Sequence, residues 1–110
     1  MPKPRRASLV WTRPALDGLL EITQYIMADN PSAARAFVDN IKVKVGRLRT
    51  FPESGRVVPE FPSSGLREVL IGDYRVIYRF LKPTQKLQVL AVHHGARLLD
   101  ERGPEELMAR

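Results

Sequence analysis

Apolar side chains recur at every third or fourth position between residues 31 and 50, and this is the strongest periodic signal in the chain. The pattern predicts an amphipathic helix, and Asn30-Pro31 before it supplies an N-cap residue and a proline suited to the first turn. A second helical stripe spans about residues 13–28, with Thr12 as its cap. Because only a short turn separates the two helices, they must form an antiparallel hairpin. The apolar positions of the second helix are Ala34, Phe37, Val38, Ile41, Val45 and Leu48.

Strand-forming residues surround this hairpin in the sequence. Residues 67–71 and 74–81 are separated by Gly72-Asp73, a dipeptide suited to a tight turn, and a further strand is predicted at residues 86–93. Another short strand is predicted at residues 7–11, before the first helix. The order β-α-α-β-β-β predicts a single α+β domain over the whole chain, in which the helical hairpin packs on one face of a small antiparallel sheet.

The segments outside these elements give weaker signals. Residues 51–65 contain three prolines and two glycines and are expected to form a loop, with a short extended piece at 56–58. Residues 99–110 are rich in glutamate and are expected to form either a flexible tail or a short helix.

The middle of the chain carries the positive charge. The protein of 110 residues has a net charge of +6, and residues 35–86 alone account for that excess. A basic body of this kind is expected to meet nucleic acid or an acidic protein segment. The sequence has no cysteine, only two histidines and no apolar run long enough to span a membrane. We therefore expect a cytoplasmic protein without metal or cofactor.

Alternation along the third predicted strand separates aromatic from basic side chains. Tyr74, Val76, Tyr78 and Phe80 should face the helices, and Arg75, Ile77 and Arg79 should face away. An open sheet face carrying guanidinium groups suits capture of phosphate or carboxylate. The alternative is a solvated face on which the arginines pair with Glu68 or Asp73. The candidate arginines are Arg67, Arg75, Arg79 and Arg97.

Two adjacent histidines end the last predicted strand. Alternation sends the rings of His93 and His94 to opposite faces, so at most one of them shares a face with a given site. The first interpretation is structural, with one histidine at the edge of the core and its neighbour exposed. The second interpretation is functional, with one ring acting as an acid, a base or a nucleic-acid contact near neutral pH.

These residues resemble the toxins of the RelE/ParE superfamily, which belong to bacterial toxin–antitoxin modules. The resemblance covers about residues 8–99, and it rests on six short motifs found in the same order and spacing. They are the segment Thr12–Ile26, Asn30-Pro31-Ser32-Ala33-Ala34, Leu48-x-x-Phe51-Pro52-x-x-Gly55-Arg56, Leu66-Arg67-Glu68, Asp73–Tyr78 and Val92-x-His94-x-x-Arg97.

The resemblance implies the fold predicted above, and it implies a cognate antitoxin, often of the ParD kind, in a hetero-oligomer with the toxin. Within the superfamily, RelE-like members cleave messenger RNA on the ribosome, whereas ParE-like members poison DNA gyrase. Arg75, His94 and Arg97 match nuclease positions. However, the loop 51–65 has no lysine and no tyrosine follows Tyr78, and RelE-like nucleases usually carry both.

The ParE branch is therefore expected, as a gyrase inhibitor that acts by binding. Arg67, Arg75, Arg79 and Arg97 are the candidate contacts with the antitoxin or the target. The alternatives are a ribosome-dependent mRNA endonuclease that uses Arg75, His94 and Arg97, and a protein of the same fold that has lost toxicity and only binds a partner.

Overall fold

The structure, a computed structural model, describes residues 6–95. Seven elements follow one another, and a single turn of 3-10 helix at Lys82–Thr84 precedes the last of them. They are β1 (Ser8–Trp11), α1 (Arg13–Asp29), α2 (Pro31–Leu48), β2 (Arg56–Val57), β3 (Arg67–Ile71), β4 (Tyr74–Leu81) and β5 (Lys86–His94). The helical hairpin and the four predicted strands are confirmed, because periodicity and capping are local properties of the sequence. The extended piece expected at 56–58 forms a fifth strand, β2. The predicted tail at 99–110 lies outside the described residues.

The sheet has five strands in the order β1-β5-β4-β3-β2. The pairs β2–β3, β3–β4 and β4–β5 are antiparallel, as expected. One edge departs from the expected antiparallel sheet, because β1 runs parallel to β5 with Ser8 opposite Lys86 and Trp11 opposite Val89. β1 and β5 belong to opposite ends of the described chain, and the helical hairpin lies between β1 and the rest of the sheet in sequence. Such a connection does not force the antiparallel pairing that a tight turn does.

Both faces of the sheet carry a core. Helix α2 contributes Phe37, Ile41, Val45 and Leu48 to a cluster that includes Val76 and Tyr78 of β4, so the predicted helix-facing side of this strand is confirmed. The other face is not open. The segment between β2 and β3 folds over it, and Val58 and Leu66 pack there on Ile77, Leu90 and Ala91. The predicted loop is therefore a cover for the second face of the sheet.

Asn30 joins the two helices by capping both. Its backbone N–H donates to the Ile26 carbonyl (2.8 Å) at the end of α1, and its Oδ1 accepts from the Ala33 N–H (3.1 Å) at the start of α2. Pro31 follows in the first turn of α2, where its missing N–H costs no hydrogen bond. The sharp reversal between the helices is thus encoded in two adjacent residues.

We expect Asn30→Ala to lower the free energy of unfolding by about 1 kcal/mol, because the Ala33 N–H loses its side-chain acceptor. The measurement is urea denaturation followed by circular dichroism. Asn40→Ala is the matched control, because Asn40 is an exposed residue inside α2 and alanine favours the helix there. If both variants were equally stable, the capping role would be disproved.

No helix among residues 6–95 combines the length and the apolar character that a membrane span requires.

Candidate partner-binding surfaces

Arg75 lies inside the protein. Its side chain projects from β4 to the face covered by the segment between β2 and β3, and only 4% of the residue is exposed. Nη1 and Nη2 donate to the two carboxylate oxygens of Glu60 at 2.7 and 2.8 Å, and Nε donates to Oε1 of Glu68 at 3.1 Å. The hydrogen bonds to Glu60 raise the pKa of Arg75 above its ordinary value, although burial opposes them, and those to Glu68 add to the effect. The expectation that Arg75 is an exposed contact is therefore corrected.

Glu68 extends this network toward the surface. Its carboxylate is fully buried on β3 and also accepts from Nε (2.8 Å) and Nη2 (2.7 Å) of Arg56 on β2, whose side chain is about half exposed. Two arginines and two carboxylates thus join β2, β3, β4 and the covering segment in one neutral group. The pairing of Arg75 with Glu68 was predicted from the sequence as the alternative to an open sheet face that captures anions. Glu60 was missed, because an acidic residue in an aperiodic loop carries no positional signal.

Arg67 and Arg79 have different surroundings, and both are half-buried. Arg67 lies opposite Tyr78 and therefore on the helix-facing side of the sheet, where its Nη1 donates to the Gly55 carbonyl at 2.8 Å. Arg79 lies on the same face as Arg75, and its Nε donates to Oε1 of Gln88 on β5 at 2.6 Å. Arg97 lies outside the described residues. The structure therefore does not bring Arg67, Arg75 and Arg79 together as one cationic cluster.

The two histidines take opposite faces, as predicted. His94 is exposed and lies opposite Tyr74, whose ring it meets edge-on at a centroid distance of 5.4 Å. His93 lies opposite Arg75 and shares its face. Consequently Arg75 and His94, two of the three residues expected to act together in a nuclease, are on opposite sides of the sheet.

The hydroxyl of Tyr78 anchors the chain that leaves α2. Tyr78 has no exposed surface, and its Oη donates to the Pro52 carbonyl (2.8 Å) and accepts from the Gly55 N–H (3.0 Å). Burial raises the pKa of the Tyr78 phenol above its ordinary value. The sequence predicted the ring as core but gave no signal for the two hydrogen bonds, because they involve backbone groups of a loop.

A groove of about 340 Å³ lies between the C-terminal half of α2 and the outer edge of β3. Lys44 and Arg47 line it from α2, Arg56 lines it from β2, and Leu48 and Val69 supply apolar surface. Sequence analysis did not identify Lys44 and Arg47 as site residues, because both are on α2 and the candidate residues were chosen on the sheet. No group of residues suited to hold a metal ion occurs in the part of the chain that the structure describes.

Helix α1 carries apolar residues that are not covered. Ala15 is its only fully buried residue, whereas Leu16, Leu20 and Met27 are each about half exposed. These three residues have helical spacing and form one stripe along α1. An exposed apolar stripe beside a basic body suits an amphipathic protein partner.

Comparison with known proteins gives one family. The family model for the ParE toxin of the type II toxin–antitoxin system parDE matches residues 9–99. Toxin RelE2 of Caulobacter vibrioides is 32% identical over 92 residues, which cover 84% of this chain and 99% of that protein. Putative toxin Y4kP of Sinorhizobium fredii is 37% identical over 90 residues, which cover 80% of this chain and 91% of that protein.

Solved structures show the same fold. A chain of the chromosomal ParDE toxin–antitoxin system from P. aeruginosa superimposes with a TM-score of 0.68 at 22% identity, over 82% of this chain and 97% of that one. A chain of the toxin–antitoxin complex RelBE2 from Mycobacterium tuberculosis superimposes with a TM-score of 0.58 at 20% identity, over 88% of this chain and 100% of that one. The protein belongs to the ParE toxin family of type II toxin–antitoxin systems, within the RelE/ParE superfamily.

Proposed function

We propose that this ParE-family toxin inhibits DNA gyrase by binding it, and that a ParD-like antitoxin neutralises the toxin by forming a hetero-oligomer with it. The observation that carries the choice of a binding mechanism is the position of Arg75, which is buried and hydrogen-bonded to Glu60 and Glu68. The proposal places the toxin in the cytoplasm, where gyrase acts.

Cleavage of RNA requires several chemical groups at one place, and the described residues do not bring such groups together. A base must take the 2′-hydroxyl proton, an acid must protonate the leaving oxygen, and cations must stabilise the charge that develops on the phosphate. Two carboxylates already neutralise Arg75, so a phosphate would have to displace them. His94 is on the opposite face of the sheet from Arg75. These positions favour binding over a catalytic set of Arg75, His94 and Arg97.

The antitoxin part of the proposal rests on charge and apolar exposure. The two solved structures compared above come from toxin–antitoxin systems. The net charge of +6 favours an acidic partner, and the stripe of Leu16, Leu20 and Met27 offers an apolar contact for an amphipathic one. Arg67, Arg79 and Arg97 remain candidate contacts with the antitoxin or with gyrase, whereas the side chain of Arg75 serves an internal role.

The test measures the supercoiling of relaxed plasmid by purified gyrase at increasing toxin concentration, with a further reaction that also contains antitoxin. We expect loss of supercoiled product or accumulation of cleaved DNA, and recovery when the antitoxin is present. If gyrase were unaffected by folded toxin that still arrests growth, the gyrase proposal would be wrong. Cleavage of mRNA on ribosomes, abolished by His94→Ala, would then identify the endonuclease alternative.

A further inference from the structure

We propose that the end of the sheet next to the β4–β5 turn binds the phosphate backbone of DNA through Arg79, Lys86 and Gln88. This inference rests on the proposed action on gyrase, because it gives the toxin a second contact in that complex, with the DNA that gyrase holds. Three observations support it: an uncovered part of the sheet face, a guanidinium group held in one orientation, and cations without carboxylate partners.

The covering segment between β2 and β3 does not reach this end of the sheet. Its buried apolar residues pack on the middle of β4 and β5, and the residues in contact are Val58, Leu66, Ile77, Leu90 and Ala91. Nearer the β4–β5 turn, the same face carries two rows of exposed or half-buried residues, about 7 Å apart along the strands. Together the rows form the turn-end patch, which consists of Val10, Gln88 and Arg79 in one row and Ser8, Lys86 and Leu81 in the other.

Gln88 holds the guanidinium group of Arg79 in one orientation. Arg79 Nε donates to Gln88 Oε1 at 2.6 Å, across the pair of β4 and β5. Because a guanidinium group can only donate, the amide oxygen must face it, and the amide nitrogen of Gln88 is left as a donor. Neither this nitrogen nor the two Nη atoms of Arg79 have an acceptor among residues 6–95. These donors remain for an anion, and phosphate oxygens match the planar fork of an arginine.

The charges of the turn-end patch favour an anionic ligand. Arg79 and Lys86 take part in none of the ion pairs formed within the described part of the chain. Lys82, which follows β4, differs from them because its ammonium group is paired with Glu53 at 3.0 Å. Two cations without an opposing carboxylate therefore leave a positive potential over this part of the sheet face.

The DNA backbone fits the turn-end patch better than an acidic protein segment does. Because β5 lies between β1 and β4, its backbone groups are already paired, and an incoming strand cannot add to it. The two apolar residues of the patch, Val10 and Leu81, are at opposite corners and form no continuous apolar centre of the kind found in protein interfaces. A flat surface on which side-chain donors make the contacts is typical of binding to DNA phosphates.

The first test replaces a single amide in the patch. Gln88→Glu keeps an oxygen acceptor for Arg79 Nε but turns the amide donor into a carboxylate oxygen, which repels phosphate. Gln24→Glu makes the same change in charge at an exposed position of α1. Each toxin, checked for folding by circular dichroism, is titrated at low salt into a fluorescein-labelled DNA duplex, and binding is followed by fluorescence anisotropy.

We expect Gln88→Glu to bind the duplex about 10-fold more weakly and Gln24→Glu to stay within about 3-fold of the unaltered toxin. Equal affinities of the two variants would overturn the proposal. So would the absence of binding by the unaltered toxin at about 100 µM, the weak limit of non-specific DNA binding.

The second test uses salt to count phosphate contacts. Lys86→Gln leaves the pair of Arg79 and Gln88 in place and removes one cation from the patch. The slope of log affinity against log salt concentration should therefore become shallower by about 1. Lys42→Gln, at an exposed position of α2, should keep the slope of the unaltered toxin. The same slope for both variants would contradict a phosphate contact at Lys86.

The third test separates this site from the gyrase proposal. In the supercoiling assay, Gln88→Glu should need about 10-fold more toxin than Gln24→Glu for the same inhibition. Equal inhibition by the two variants would overturn a DNA contact within the gyrase complex. If the unaltered toxin did not affect gyrase while DNA binding still depended on Gln88, the DNA site would stand and the gyrase assignment alone would fail. If Gln88→Glu weakened binding to the antitoxin but not to DNA, the occupant would be an acidic protein and the proposal would be wrong.

Discussion

Arg75→Leu should lower the free energy of unfolding by about 3–5 kcal/mol, because it leaves the buried carboxylate of Glu68 and the partly buried carboxylate of Glu60 without their common cation. Arg75 makes hydrogen bonds to both carboxylates and joins β4 to the covering segment. The hydrogen bonds to Glu60 raise the pKa of Arg75, which favours its charged form. The measurement is chemical denaturation at neutral pH, monitored by circular dichroism.

Two further variants make this result specific. Arg79→Leu, on the same strand and face, removes one hydrogen bond to Gln88 and should cost only about 1 kcal/mol. Combining Arg75→Leu with Glu60→Gln and Glu68→Leu should restore most of the loss, because no buried charge is then left unpaired and the remaining Arg56 is about half exposed to solvent. A single Arg75→Leu variant as stable as Arg79→Leu would contradict the structural role of Arg75.

This prediction also changes how loss of toxicity is interpreted. If removal of Arg75 destabilises the fold as expected, loss of growth arrest in an Arg75 variant does not identify a contact with the target. Arg79 provides the cleaner test, since its side chain is partly exposed and its removal should leave the fold intact. Toxicity should therefore be compared among variants of matched stability.

The sequence predicted those features that depend on neighbours along the chain. The helical hairpin followed from the apolar spacing in α2 and from Asn30-Pro31, and alternation placed Tyr78 toward the helices and His93 and His94 on opposite faces. The parallel pairing of β1 with β5 could not be predicted, because no turn joins these strands.

The candidate site was predicted less well than the fold, because charge alone does not tell which cations have partners. The arginines at 75 and 79 were placed correctly on the sheet face away from the helices. Their availability depends on the segment between β2 and β3, which brings Glu60 over that face without any periodic signal. Lys44 and Arg47, which lack such carboxylates within the described range, are on α2 instead.

Tyr78→Phe should lower the free energy of unfolding by about 2–4 kcal/mol, because two backbone groups lose their partner at once. The Pro52 carbonyl loses a donor, and the N–H of the buried Gly55 loses an acceptor. The phenylalanine ring still fills the core beside α2. The loss should therefore come from the segment that follows α2, and amide exchange there should quicken more than in the helices.

The same hydroxyl should make stability depend on alkaline pH. Burial raises the pKa of Tyr78 in the folded protein, so its contribution is fully present below the unfolded value of about 10 and is lost as pH rises through the folded one. We expect Tyr78→Phe to lose less stability than the unaltered protein between about pH 8 and pH 11. Tyr25→Phe, at a position 77% exposed on α1, should keep the unaltered dependence. Identical alkaline profiles for the two variants would mean that Tyr78 does not hold the chain by its neutral hydroxyl.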